Sequence, residues 1–390
     1  MEEKQLQLYI HIPFCKQKCT YCDFLSFASI ETEQTQYVDV LLQEIESYRE
    51  IAQSYTVSTI FIGGGTPSII DQKQMQRIMN QIRCIFVIAE DAEISMEINP
   101  GTVNLEKLQA YAKMGINRIS IGLQAIHDEE LQLLGRVHNY QRFLETFHAA
   151  REVGICNINV DLITAIPKQT VESWIETLDT IIALQPEHIS AYSLIIEEGT
   201  KLYQEIAMYE KLLPSEEAER EMYHITKEKL EEAGYHRYET SNYAKVGYAC
   251  HHNLGYWARQ NYLGIGLGAA SLLENQRFSN QRDMQSYRQA IQQYQETADC
   301  YKMWEVLRVE QETLTQVAQM EEFMFLGLRK IEGVSKAIFA ETFGVSMEEI
   351  YAKPLGELTQ KQLIENTKDI VKLTDLGIDV SNYVLAEFLL

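Results

Sequence analysis

No run of ~18 consecutive apolar residues occurs in the chain, so it has no segment with the length and composition of a membrane-spanning helix. Cations are scarce as well. The 34 Lys and Arg residues stand against 56 Asp and Glu, a net charge of -22, which argues against general nucleic-acid binding and against adhesion to anionic lipid. An anionic ligand must therefore find a local basic or dipolar pocket. The stretch from Met1 to Gln5 has neither the apolar centre of a secretory signal nor an Arg-rich amphipathic presequence. Phosphate-loop and dinucleotide fingerprints are absent in spacing, and no internal repeat or low-complexity tract interrupts the chain. Seven cysteines in 390 residues, four of them isolated at Cys84, Cys156, Cys250 and Cys300, do not form a disulfide framework. The expected compartment is a reducing cytoplasm, with peripheral membrane contact left open.

The other three cysteines are concentrated. Cys15, Cys19 and Cys22 follow a short apolar strand within eight residues. Three thiolates on one tight loop can hold three corners of a cuboidal iron-sulfur cluster and leave the fourth iron without a protein ligand. A structural zinc site would need four ligands in paired spacing, and no second pair follows, although His11 could supply a fourth ligand.

The length exceeds the ~250–300 residues at which single cores stop growing, which predicts one large domain and at least one smaller one. Strands are predicted near 6–12, 57–62, 92–98, 116–123, 155–163 and 187–195. Helices are predicted near 35–52, 71–85, 104–114, 140–153, 170–184 and 215–233. This alternation is the pattern of a parallel sheet, and six units predict an incomplete barrel. Within the strands, Leu6, Leu8, Ile10 and Ile12 alternate with Gln5, Gln7, Tyr9 and His11, and Ile94, Met96 and Ile98 alternate with Glu93, Ser95 and Glu97. The same split recurs around Ser120 and around Asp161. Strand residues alternate faces and helices must cover the apolar one, so the polar parity should point inwards and line a ligand cavity.

Gly63-Gly64-Gly65-Thr66 follows the second strand and would let a ligand approach the backbone. Much later, Cys250-His251-His252-Asn253 leads into Tyr256 and Trp257, a combination of axial-ligand types with aromatic surface suited to a flat macrocycle. Gly264, Gly266 and Gly268 nearby would let a planar ligand lie against the backbone. From about residue 314 the chain reads as short amphipathic helices in winged-helix-like order, but its acidic balance and lack of a basic face speak against nucleic acid.

The spacing C-x3-C-x2-C after a first strand resembles the cluster motif of the radical S-adenosylmethionine (SAM) superfamily, and Tyr9-Ile-His-Ile-Pro-Phe-Cys15 with Cys22-Asp-Phe24 resembles its oxygen-independent coproporphyrinogen III oxidase-like branch. That resemblance implies an α/β fold: a partial (β/α)6 parallel barrel of radical SAM type with a small, mainly helical, winged-helix-like C-terminal domain. It further implies a [4Fe-4S] cluster on Cys15, Cys19 and Cys22. SAM would be held by Tyr9, Tyr21, Gly64, Gly65, Thr66, Glu97, Gln124, Arg136 and Asp161, with Ile195 in the sixth strand lining the adenine. One departure is Thr164-Ala165-Ile166, where the branch usually carries a glycine. The expected domains are 1–235 for the barrel, 236–313 for an extension and 314–390 for the C-terminal domain.

His252-Asn253-x-x-Tyr256-Trp257 matches a motif of the haem-chaperone members of this branch, and Phe24 stands where the dehydrogenase members carry a further cysteine. The resemblance therefore implies a haem chaperone that holds haem near His252, Asn253, Tyr256 and Trp257 and passes it to an acceptor protein, for which a membrane association is open. The alternative is a coproporphyrinogen III dehydrogenase acting by radical chemistry on propionates. No catalytic residue is assigned, and the sequence does not indicate an oligomeric state.

Overall fold

The computed structural model describes residues 4–209, 212–297 and 299–390; Met1 to Glu3, part of the terminal stretch judged free of targeting signals, lie outside them. Six parallel strands form the body: β1 (Lys4–Ile12), β2 (Tyr55–Gly64), β3 (Val87–Ile98), β4 (Arg118–Gln124), β5 (Asn157–Thr164) and β6 (His188–Ser193). They are crossed by α1 (Glu31–Ser47), α2 (Gln72–Ile85), α3 (Leu105–Lys113), α4 (Tyr140–Glu152) and α5 (Val171–Ala183), with α6 (Glu216–Glu232) packed beyond the last strand. Asp71, Asn104, Asn139, Thr170 and Ser215 cap five of these helices by accepting a backbone N–H of the first turn. Such caps fix where each helix starts, at about 1 kcal/mol apiece.

The alternation behaves as the sequence predicts. Leu6, Leu8, Ile10 and Ile12 are fully buried in one core with Met96, Ile119, Ile121, Ile158 and Val160 and with helix residues such as Met75, Ile78 and Trp174. Each such side chain contributes about 1.5–3 kcal/mol, so a one-residue register slip in any strand would turn several of them inwards. The opposite parity meets inside the barrel. Asn159 and Ser120 bond Asp161 at 2.8 and 2.7 Å, while His188 and Ser190 bond Asn159 Oδ1 at 2.6 and 3.1 Å.

The sheet does not end with six strands. A seventh parallel strand, β7 (Tyr262–Ile265), pairs with β1, and antiparallel strands Ala270–Leu273, Gln276–Asn280 and Arg308–Thr313 extend that edge. Asn242–Ala244 and His236–Arg237 extend the other, making twelve strands in all among the described residues. The C-terminal region has its own core, including Met324, Phe339, Tyr351 and Phe388, around the helices Gln316–Gly327, Lys336–Phe343 and Met347–Gln360 and a three-stranded antiparallel sheet. That is the mainly helical, winged-helix-like order.

The Gly264–Gly268 run is not an open bed for a ligand. A Cβ on Gly264 would lie 2.2 Å from the Ala270 carbonyl, and one on Gly266, where φ is +109°, would lie 2.5 Å from the Tyr37 hydroxyl. These glycines admit neighbouring protein instead. Gly266 also donates its N–H to the fully buried Glu44 at 2.9 Å, which accepts from Asn280 Nδ2 at 2.7 Å and from the Tyr287 hydroxyl. Burial raises the Glu44 pKa from 4.5 to about 7 despite those donors. Between these values the folded chain holds the proton that the unfolded chain has lost, so the contribution of Glu44 to stability falls as pH rises through that window. Glu44→Gln should therefore flatten the loss of stability between pH 5 and pH 8 measured by urea denaturation. Some slope should remain, because Glu97 is also raised to about 7.

Candidate functional site

Parallel strands bring all their C-terminal ends to one face, and the loops there carry the predicted residues. The cysteine loop follows β1. Cys15 is buried and Cys19 and Cys22 are partly so, and no cysteine in the chain is in a disulfide. Two donors reach the sulfurs: the Thr66 hydroxyl is 3.6 Å from Cys15 Sγ and Arg136 Nη1 is 3.4 Å from Cys19 Sγ. Among the described residues no three His, Cys, Asp or Glu side chains converge as a single metal ion requires. His11 is otherwise engaged, bonded to the Tyr9 hydroxyl at 3.0 Å and the Leu25 carbonyl at 2.9 Å. The donor set therefore does not suit a mononuclear zinc with His11 as fourth ligand, and it suits a polynuclear cluster, where each thiolate takes a different iron.

The glycine loop is built against this segment. Gly65 N–H donates to the Ile12 carbonyl at 2.9 Å and Thr66 N–H to the Phe14 carbonyl at 2.7 Å. A Cβ on Gly65 would sit 2.7 Å from that Phe14 carbonyl, and one on Gly64, where φ is +112°, would sit 2.5 Å from the His11 ring. Gly64 N–H donates to Glu97 Oε2 at 3.1 Å. Burial, reinforced by the charge of Asp161, raises Glu97 to about 7, and burial also raises Asp161. Gln124 ends β4 at φ +78°, and Arg136 lies in the turn just after the helix Asp128–Leu133 rather than on it. Tyr21 packs on Leu131, Leu134, Ile163 and Ile166, in a small cluster at this same end. Ala165, which replaces the usual glycine, adopts φ +60°, the left-handed region that costs a side-chain-bearing residue roughly 1 kcal/mol.

One residue missing from the sequence-derived set is Asn99. Its Nδ2 donates to Thr66 Oγ1 at 2.7 Å and its Oδ1 accepts from Arg136 Nη2 at 2.6 Å, while its own N–H and carbonyl bond Ser68 and Thr102. Asn99 thereby joins the glycine loop to the cation beside Cys19. Its position directly after the inward-facing parity of β3 was the available signal.

Ile195 lies outside the expected strand: the sixth strand stops at Ser193, and Ile195 follows it with 67 % of its surface exposed.

The His252 motif lies on a short helix in which His252 is buried. Helix His251–Trp257 closes the opposite, N-terminal end of the barrel. Glu93, at the start of the inward parity of β3, accepts from His251 N–H, His252 N–H and Cys250 Sγ at 3.0, 3.2 and 3.4 Å. The His252 ring stacks on Phe61 and spends both nitrogens, Nδ1 on Thr59 Oγ1 at 2.7 Å and Nε2 on the Tyr256 hydroxyl at 3.0 Å. Only 1 % of His252 is exposed, and burial lowers its pKa to about 3. Trp257 bonds Glu239 at 3.1 Å and lies under Arg329 of the C-terminal region, and Asn253 is half-buried on the same helix. In this structure the His252, Tyr256 and Trp257 side chains are paired internally and form a floor under the barrel.

Comparison with known proteins agrees with this architecture. Residues 9–181 match the radical SAM superfamily and residues 314–380 the HemN C-terminal domain. Coproporphyrinogen III oxidase (HemN) from Escherichia coli, described as a radical SAM enzyme, superposes with a TM-score of 0.86 over 99 % of this chain and 90 % of that one, at 24 % identity, a likeness of fold. Fold and cysteine loop thus define a radical SAM protein with a HemN-type C-terminal domain. Heme chaperone HemW from Bacillus subtilis is 36 % identical over 386 residues, 98 % of each chain, and the one from Escherichia coli is 43 % identical over 265 residues, 68 % of this chain and 69 % of that one. The chain belongs to the HemW family.

Two substitutions probe the two ends. Gly65→Ala should displace the cysteine loop and reduce iron and sulfide content after anaerobic reconstitution at least severalfold. His252→Ala leaves Thr59 and Tyr256 unpaired beneath the barrel and should cost about 1–3 kcal/mol in chemical denaturation, with haem affinity of the folded protein unchanged.

Proposed function

We propose that this protein is a cytoplasmic haem chaperone: it carries a [4Fe-4S] cluster and SAM, binds haem as cargo and passes it to an acceptor protein. The supporting observation is the alignment with a heme chaperone HemW along 98 % of both chains. Among the described residues no helix is long and apolar enough to cross a membrane, so an acceptor in a membrane would be met from the surface.

In this reading Cys15, Cys19 and Cys22 ligate three irons, and Thr66 and Arg136 stabilise the sulfur charge through the contacts at 3.6 and 3.4 Å. Gly64, Gly65 and Thr66 present backbone and hydroxyl groups to the amino-acid end of SAM. Glu97 and Asp161 take its hydroxyls and positive charge from the inner wall, with Gln124, Tyr9 and Tyr21 closing the space. When bound, the cluster would supply an electron to the sulfonium of SAM. The residues around it exclude water: the apolar outer parity and the closed floor leave the C-terminal mouth as the entrance.

The fold likeness to HemN favours a second reading, coproporphyrinogen III dehydrogenase. Fold alone does not assign chemistry. Anaerobic incubation of reconstituted protein with SAM, a low-potential reductant and coproporphyrinogen III should yield no vinyl-bearing product. Its formation would replace the chaperone with the dehydrogenase. Haem titration should give a saturable Soret band, which the second reading does not require.

A further inference from the structure

We propose that haem lies across the C-terminal mouth of the barrel, its ring on an apolar rim and its propionates on Lys16, Lys18 and Arg282. This rests on the chaperone reading and gives that cargo a place. The first observation is the closed floor, where His252 has no free nitrogen. The second is the mouth itself. Phe24 is 70 % exposed, Ile195 67 %, Val137 54 %, Tyr203 45 % and Tyr192 41 %. Single exposed apolar residues are ordinary, but three on loops with Tyr192 at the end of β6 and Tyr203 on the helix Lys201–Tyr209 mark a binding surface.

Hydrogen bonds and apolar packing join the parts of that face. Thr20 of the cysteine loop donates its N–H to the Leu134 carbonyl, three residues before Val137, and accepts from Leu202 N–H, next to Tyr203 in the chain, at 3.1 and 2.8 Å. Tyr21 and Leu194, the neighbour of Ile195, pack on one apolar cluster. Phe24 is held next to a cation, because Lys18 Nζ donates to its carbonyl at 3.0 Å.

Charge then orients the ligand. Haem combines a flat apolar ring with two carboxylates on one edge. A chain of net charge -22 repels such an edge except where cations stand. Lys16 and Lys18 are exposed on the cysteine loop, and the exposed Arg282 stands over Gly268, next to Leu25. Glu197 and Glu198, exposed beyond Ile195, direct the anionic edge towards the cysteine-loop side.

The test is anaerobic haem titration of the cluster-loaded protein, followed by Soret absorbance, with iron and sulfide measured for each variant. Phe24→Ser with Val137→Ser should weaken haem at least about tenfold. Lys16→Glu with Arg282→Glu should weaken haem similarly but leave haem dimethyl ester, whose carboxylates are blocked, unaffected. His251→Ala, which alters the exposed histidine of the floor helix, should change nothing. Tight wild-type binding that survives both rim variants, or is lost in His251→Ala, would overturn the rim while sparing the chaperone. A wild type that binds no haem would remove the chaperone reading itself.

Discussion

The carboxylate of Glu93 holds this architecture together at its least conspicuous end. Buried to 8 % exposure, it needs donors, and it receives two backbone N–H groups and a thiol from the start of the floor helix. Hydrogen bonds to a charged group are worth roughly 1.5–3 kcal/mol each, enough together to offset a desolvation cost of several kcal/mol. Without the helix the carboxylate would face an open barrel end, and without the carboxylate the helix start would have unpaired amides. Gln7 adds a second tie by donating to the His251 and His252 carbonyls at 3.3 Å. The helix also reaches outward. Arg259 just beyond it pairs with Glu322 at 2.8 Å, both side chains nearly buried, and Arg329 covers Trp257. One short helix therefore links the inner wall of the barrel to the C-terminal region.

This division explains how one barrel can present charged groups at both ends without collapsing. At the floor every buried polar atom of His252 is paired, which makes that end rigid. At the mouth, Arg136 is buried with its Nε unpaired, and Glu97 and Asp161 are both raised in pKa by burial.

Much of this was legible in the chain. The six barrel strands and their crossing helices lie within a few residues of the predicted spans, because Ile10 against Tyr9, or Met96 against Glu97, declares its face by alternation alone. The cysteine spacing pointed to a cluster for the same local reason. The burial of His252 was not legible, since only its contacts with Thr59 and Tyr256 show it. Asn99 was quoted in no site set because its importance depends on meeting Arg136, 37 residues away. The twelve-stranded sheet was also hidden: nothing local tells Tyr262–Ile265 that its partner is β1.

That last pairing sets an order in time. Strand β1 is hydrogen-bonded on one side to β2 and on the other to residues 262–265, so its second edge is completed long after the strand itself is made. Contacts of such sequence separation form slowly. For most of synthesis the cysteine loop therefore follows a strand with one bare edge, and Gly266 docks on Tyr37 and His11 only near the end.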